Sequence, residues 1–139
     1  MTTFESKITP LKGSQEKVFD VLSDFNNLSR FEGNIPENDS IKNLVYEKDR
    51  CEITVNPVGK IGVRIIERIP YSQINLQSEN SPIKFTMSIN LQEVTEDETQ
   101  LKIIVAADLN PLLKGMVGTP LQKFIDMLAA QIGSLPFEK

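Results

Sequence analysis

Between residues 41 and 109 apolar residues alternate with polar ones, and this pattern limits the fold more than any other feature of the chain. In the clearest segment, IKFTMSINLQEV, the residues Phe85, Met87 and Ile89 share one phase and polar residues occupy the other. Successive side chains of a β-strand point to opposite faces of a sheet, so this pattern buries one face and leaves the other in water. The stretch therefore predicts an antiparallel sheet with one apolar face.

Turn-forming segments divide this stretch into six predicted strands joined as a meander. Asp49 and Arg50 separate the first two strands, and the segments NPVGK, PYS, NSP and EDET separate the others. An opening strand is predicted over residues 3–11, where Phe4 and Ile8 lie in one phase. The sheet is therefore expected to contain seven strands.

Two short helices are predicted between the opening strand and the meander. Ser14 is a suitable N-cap for the first helix, and Val18, Phe19 and Leu22 recur behind it at helical spacing. The segment FNNLSRFEG predicts a second short helix that ends near Gly33.

A long final helix is predicted over residues 110–132, with Asn110 as N-cap and Pro111 in the first position. Its first half contains Gly115, Gly118 and Pro120, which weaken a helix. One interpretation is that these residues allow close packing or mark a boundary between two helices. The alternative is a flexible lid over a cavity mouth, because local opening energy is lowest where a ligand must pass.

The composition excludes several classes of function. The chain has no His and a single Cys, which removes the commonest metal ligand and general base, so neither a metal nor a cofactor is expected. The formal net charge is −4 and cations are not clustered, so nucleic-acid binding is not expected. The chain shows no signal peptide and no apolar run long enough to span a bilayer. A single cytoplasmic domain covering residues 1–139, without stable membrane insertion, is therefore expected.

The order of elements and two local segments resemble the START-related superfamily of helix-grip proteins, which includes polyketide cyclases, lipid-transfer domains and the birch-pollen allergen type. SQEKVFDVLSDFNNLSRF is similar to the family's first helix and its continuation, with Phe31 where many relatives carry Trp. RIIERIPYSQINLQSE is similar to the family's central hairpin. More narrowly, the chain resembles small bacterial members without assigned chemistry. The resemblance implies an α+β fold in which a curved seven-stranded antiparallel sheet wraps around a long C-terminal helix.

The resemblance also implies a hydrophobic cavity between sheet and helix, and the inward phase of the sheet and the apolar face of the helix predict its lining. The candidate ligand-binding residues are Phe31, Tyr46, Ile53, Val55, Val63, Ile65, Glu67, Ile74, Leu76, Phe85, Met87, Ile89, Val105, Met116, Val117, Pro120, Leu121 and Phe124. The same apolar residues would also suit an ordinary filled core. Glu67 shares the phase of Val63 and Ile65, so it either anchors a ligand inside or escapes at a bulge. Arg64 and Arg68 occupy the opposite phase, which predicts that both are solvated.

The leading hypothesis is noncatalytic binding or transport of a small hydrophobic or amphipathic molecule. No catalytic residue is assigned, and an enzyme is the less favoured interpretation. A cyclase or aromatase would need Glu67, Tyr46 or Tyr71 within one cavity, without any His to act as acid or base. A third hypothesis is an interaction module with a filled core. A weak homodimer is left open.

Overall fold

The computed structural model describes residues 2–30, 41–55 and 59–134, and for residues 28–30, 41–44 and 55 the description covers the backbone alone. The strands are β1 (Thr2–Glu5), β2 (Thr9–Lys12), β3 (Ile41–Tyr46), β4 (Arg50–Val55), β5 (Gly59–Ile69), β6 (Gln73–Ser78), β7 (Phe85–Thr95) and β8 (Glu98–Ala107). The helices are α1 (Gln15–Leu22), a 3₁₀ helix (Phe25–Arg30) and α2 (Pro111–Gly133).

The strands form one antiparallel sheet in the order β1-β8-β7-β6-β5-β4-β3, with β2 also paired to β8. Strands β3 to β8 follow one another as a meander, and the chain's first strands lie beside its last strand. The sheet is curved and open, and the long C-terminal helix lies against it. The predicted helix-grip architecture is thus confirmed.

The predicted opening strand is in fact two strands, which gives the sheet eight strands instead of seven. Ser6 interrupts the pairing: its backbone N–H donates to Ile103 O at 2.8 Å, and its side-chain Oγ accepts from Ile103 N at 2.9 Å. Behind this break, Ile8 is 60% exposed, whereas Phe4 and Leu11 are buried. The expectation that Phe4 and Ile8 share one face is wrong because the break changes the phase of the strand.

A register shift between Ile65 and Glu67 shows a bulge in β5. A bulge adds one residue to one strand and therefore reverses the faces of all that follow. Glu67 is consequently exposed and accepts a 2.9 Å hydrogen bond from Asn75 Nδ2. Arg68 instead turns inward and donates from Nε to Ser23 O at 2.9 Å, with a further ion pair to Asp49. The prediction that Arg68 is solvated in the outward phase is therefore wrong.

Both predicted helix caps are confirmed. Ser14 Oγ accepts from Lys17 N, and Asn110 Oδ1 accepts from Leu113 N at 2.8 Å. α2 continues without interruption through Pro120, so no boundary divides it into two helices. Among the described residues, no helix has both the length and the apolar character to cross a membrane.

α2 packs mainly against β1, β2 and β8, and α1 packs on the inner face of β6, β7 and β8. These contacts create a core of side chains with low exposure near the α1 end of the sheet. That core includes Leu11, Val18, Phe19, Ile74, Leu91, Leu101, Ile103, Ile125, Ala129 and Ile132. Neither helix has its main contacts with β4 or β5, so the inner face of those strands is covered less completely.

Candidate functional site

Five half-buried side chains form a row across the inner face of the sheet, at the border of the helix-covered core, against which Val63 and Phe85 pack. Strand pairing places Tyr46 opposite Cys51, Cys51 opposite Val63, and Ser78 between Val63 and Phe85. Directly opposed residues lie on the same face of a sheet. We call Tyr46, Cys51, Val63, Ser78 and Phe85 the lining row. All five keep intermediate exposure, so the helices do not seal this part of the inner face.

Gly118 lies on the face of α2 that looks toward the sheet. It precedes Leu121 by three residues and Ile125 by seven, and both of these side chains are buried. Within the described part of the chain, a Cβ built on Gly118 would nevertheless have no neighbouring atom within 4 Å. Open space therefore lies between this part of α2 and the sheet, and close packing does not explain this glycine.

The opposite end of the same helix behaves differently. A Cβ built on Gly133 would lie only 2.7 Å from Thr9 Cγ2, so there the helix backbone touches β2. Helix and sheet are thus in close contact at the C-terminal end of α2 and separated near Gly118.

The lining row is apolar or uncharged. Burial raises the pKa of the Cys51 thiol to about 12, and the neighbouring carboxylate of Glu52 acts in the same direction. The thiol is therefore protonated at neutral pH and is a poor nucleophile. Ser78 Oγ accepts a 3.0 Å hydrogen bond from Phe85 N. The row thus offers a neutral surface with little nucleophilic character.

Apart from Arg68, which turns inward and is ion-paired with Asp49, the charged residues near Gly118 lie at the surface. Lys114 precedes Gly118 by one helical turn on the same side of α2 and is exposed. Asp108 and Lys84 are also exposed, and a 2.8 Å bond from Asp108 N to Lys84 O joins their backbones. The space beside Gly118 is therefore apolar inside and charged at its rim.

The structure divides the predicted ligand-binding residues into four groups. Buried in the core are Ile65, Ile74, Leu76, Ile89, Val105, Val117 and Leu121. Half-buried are Tyr46, Ile53, Val63, Phe85, Met87, Pro120 and Phe124. Exposed are Glu67 and Met116. Phe31 lies outside the described residues. Val55 lies in β4 and pairs with Gly59 of β5, and only its backbone is described.

Two of these predictions need correction. Glu67 does not anchor a ligand inside, because the β5 bulge turns it to the outer face beside Asn75. Met116 is 60% exposed, because it lies on the side of α2 opposite to Val117 and Leu121. Glu67 and Met116 are therefore both absent from the inner face.

Gly118, Cys51 and Ser78 were not among the predicted site residues. Cys51 lies in phase with Ile53, and Ser78 lies in phase with Leu76, so alternation could have placed both on the inner face. Gly118 also falls on the apolar stripe of α2. The sequence pattern predicts the face on which each of these residues lies, but it does not predict the open space between the helix and the sheet.

A separate depression of about 430 Å³ lies on the outer face of β6, β7 and β8. Gln73, Asn90 and Lys102 contribute to its lining, and Ile8 borders it. Gln73 Nε2 already donates to Asn90 Oδ1 at 2.8 Å, and Lys102 is ion-paired with Glu5. These side chains satisfy one another, and the depression is on the wrong face for the predicted cavity.

No protein-family model matches the chain, and no curated protein matches it either. Solved structures do match. Norcoclaurine synthase from Thalictrum flavum superposes with a TM-score of 0.73 at 12% identity, covering 99% of this chain and 87% of the enzyme. A START superfamily protein from Mycobacterium smegmatis gives a TM-score of 0.56 at 16% identity, covering 91% and 98%.

A third similar structure is the di-domain ARO/CYC BexL from the BE-7585A biosynthetic pathway, with a TM-score of 0.69 at 13% identity. The match covers 96% of this chain and 45% of that one. Identities this low establish the fold and leave ligands and chemistry open. The chain has the helix-grip fold, which it shares with the START superfamily protein and with norcoclaurine synthase.

Proposed function

We propose that the protein binds a small hydrophobic or amphipathic molecule between the lining row and the first half of α2. The observation that carries the proposal is the open space beside Gly118, on the helix face on which Leu121 and Ile125 are buried. Small-molecule sites are typically apolar clefts with a few polar groups that fix orientation. The half-buried Val63, Phe85 and Met87 supply such apolar walls.

Binding without catalysis is favoured by the chemistry of this lining. The Cys51 thiol is held protonated by its raised pKa, and Glu67, the one carboxylate predicted to lie inside, is on the outer face. Acid–base catalysis needs a titratable group within hydrogen-bonding reach of the substrate. The lining row instead offers apolar contact area, which would supply most of the affinity for a ligand.

The weak first half of α2 supports ligand exchange through this region. Gly115 and Gly118 have open space where a Cβ would stand, so neither is required for packing. Each nevertheless costs about 1 kcal/mol of helix stability relative to Ala, and Pro120 removes one backbone donor. Local opening is therefore easier here than in the C-terminal half of the helix.

The test compares two leucine substitutions on the same helix. Gly118→Leu places a side chain in the proposed ligand space, whereas Gly115→Leu adds the same side chain at an exposed position of the helix. Binding of a fluorescent fatty-acid probe is measured by titration. We expect Gly118→Leu to weaken binding by at least about tenfold and Gly115→Leu by less than about twofold.

Native mass spectrometry of the purified wild-type protein provides the complementary measurement, with a co-purified lipid-like species as the expected result. The proposal is wrong if the wild-type protein neither carries such a species nor binds the probe. It is also wrong if the two leucine variants bind the probe equally well.

A further inference from the structure

Lys114 lies on the side of α2 that faces the sheet. The helix contacts the sheet through its buried residues, which are Val117, Leu121, Ile125, Ala129 and Ile132. Lys114 precedes Ile125 by eleven residues and Ile132 by eighteen, which correspond to about three and about five helical turns. Its side chain therefore starts from the middle of the buried face, although Lys114 itself is exposed. A cation thus stands where a helix normally buries an apolar side chain.

The positive charge of Lys114 is not neutralised by the protein. Lys114 forms no ion pair within the described part of the chain. By contrast, Lys60 on β5 has a side chain that is 63% exposed, and it still pairs with Glu52 at 3.0 Å. The ammonium group of Lys114 is therefore available to an anion that the protein itself does not supply.

This free cation stands at the rim of the open space described above. Lys114 precedes Gly118 by one helical turn on the same side of α2. Lys84, the residue before Phe85 of the lining row, is a second exposed cation at the rim, and Asp108 contributes one opposing charge. Among the described residues, this rim therefore carries an excess of positive charge beside an apolar interior.

We propose that Lys114 selects ligands that carry an anionic head group on an apolar body. The head group pairs with the ammonium group at the rim, and the apolar body lies between the lining row and Gly118. This inference rests on the proposed function and deepens it by naming the class of ligand. A neutral head group leaves the cation without a partner, and a cationic head group is repelled by it.

The preference for an anion is diagnostic because hydration acts against it. An ionised carboxylate loses part of its hydration when it enters a site, whereas an alcohol of the same length loses less. A purely apolar site therefore favours the alcohol. Tighter binding of the carboxylate requires a cation that replaces the lost hydration.

The test compares ligands that share one alkyl tail and differ in charge. Isothermal titration calorimetry of the full chain near neutral pH measures the affinities for decanoate, 1-decanol and decyltrimethylammonium. We expect decanoate to bind at least about fivefold more tightly than 1-decanol, and decyltrimethylammonium to bind more weakly than both.

Two lysine substitutions on α2 assign the preference to one residue. Lys114→Met removes the charge and keeps a side chain of similar length. Lys123→Met is the matched control, because Lys123 is also exposed but lies nine residues further on, at the opposite side of the helix. We expect Lys114→Met to weaken decanoate binding at least about fivefold and to leave 1-decanol within about twofold, whereas Lys123→Met leaves both within about twofold.

The outcomes separate this inference from the proposed function. Wild-type protein that binds 1-decanol as tightly as decanoate overturns the inference, and so does an equal loss of decanoate binding in the two lysine variants. In both cases an apolar ligand is still bound, so the proposed function survives. If none of the three ligands binds, the proposed function fails and the inference fails with it.

Discussion

The two halves of the sheet–helix interface are built from similar residues but packed to different degrees. At the closed half, near α1 and the C-terminal turns of α2, Leu101, Ile103 and Ile125 are at most 1% exposed. At the open half, near the first turns of α2, Val63, Phe85 and Met87 remain half-buried. The difference shows that apolar character alone does not determine whether a position becomes core or lining. The position of the covering helix determines it.

The glycines of α2 show the same contrast on a smaller scale. Gly133 is required because a side chain there would meet Thr9 on β2. Gly118 is not required by packing, since a side chain there would enter open space. The closed half therefore provides most of the stability of the fold, and the open half leaves space that a ligand can occupy.

The largest expected effect comes from truncating one side chain in each half. Leu101→Ala empties a fully buried site, so we expect the free energy of unfolding to fall by about 3 kcal/mol. Met87→Ala removes a similar volume from the open half and should cost less than about 1.5 kcal/mol, because part of this side chain already faces open space. Urea denaturation of both variants gives the comparison. Equal losses would mean that the two halves are equally well packed.

A smaller effect, with opposite signs in the two halves, is expected from adding one methyl group to each glycine. Gly133→Ala should lower the free energy of unfolding by about 1 kcal/mol, because the new Cβ forces Thr9 to move. Gly118→Ala should raise it by about 0.5–1 kcal/mol, because Ala favours the helix and has room. Thermal denaturation under matched conditions measures both changes. A destabilised Gly118→Ala variant would contradict the open space at this position.

The sequence predicted the closed half well. Alternation in β7 placed Ile89 on the inner face, and it is buried. The caps at Ser14 and Asn110 could also be predicted, because they depend on residues only three positions apart. Such local rules are reliable where the strands and helices are regular.

The failures occurred where the regular geometry is interrupted. A strict period of two placed Glu67 inside and Arg68 outside, whereas a single bulge in β5 reverses both. No residue in that segment marks the bulge in the way that Gly or Pro marks a turn. The break at Ser6 likewise depends on a hydrogen bond to Ile103, which is distant in sequence.

The open space could not be predicted because it depends on which strands α2 covers. The apolar stripe of α2 fits any apolar sheet face, and its contacts with β1, β2 and β8 emerge only from the whole fold. The alternation of β5 is the same whether a helix covers it or a ligand does. Gly118 therefore looked like a weak point in a helix and not like the wall of a cavity.

Cys51 allows the central claim to be tested without altering the protein. It is the only cysteine and belongs to the lining row, so any thiol modification seen by mass spectrometry reports on that row. Its pKa of about 12 leaves little thiolate at pH 8.5, whereas an unfolded chain is about half ionised there. We expect a small thiol reagent to modify the native protein at least about 100-fold more slowly than the unfolded chain.

The decisive measurement is the rate of Cys51 modification with and without a saturating fluorescent fatty-acid probe. A ligand lying against the lining row excludes the reagent from the thiol, so we expect the bound probe to slow modification at least about fivefold, with no such slowing in the Gly118→Leu variant. If the probe binds and the rate stays the same, the ligand lies elsewhere and the account of the open half is wrong.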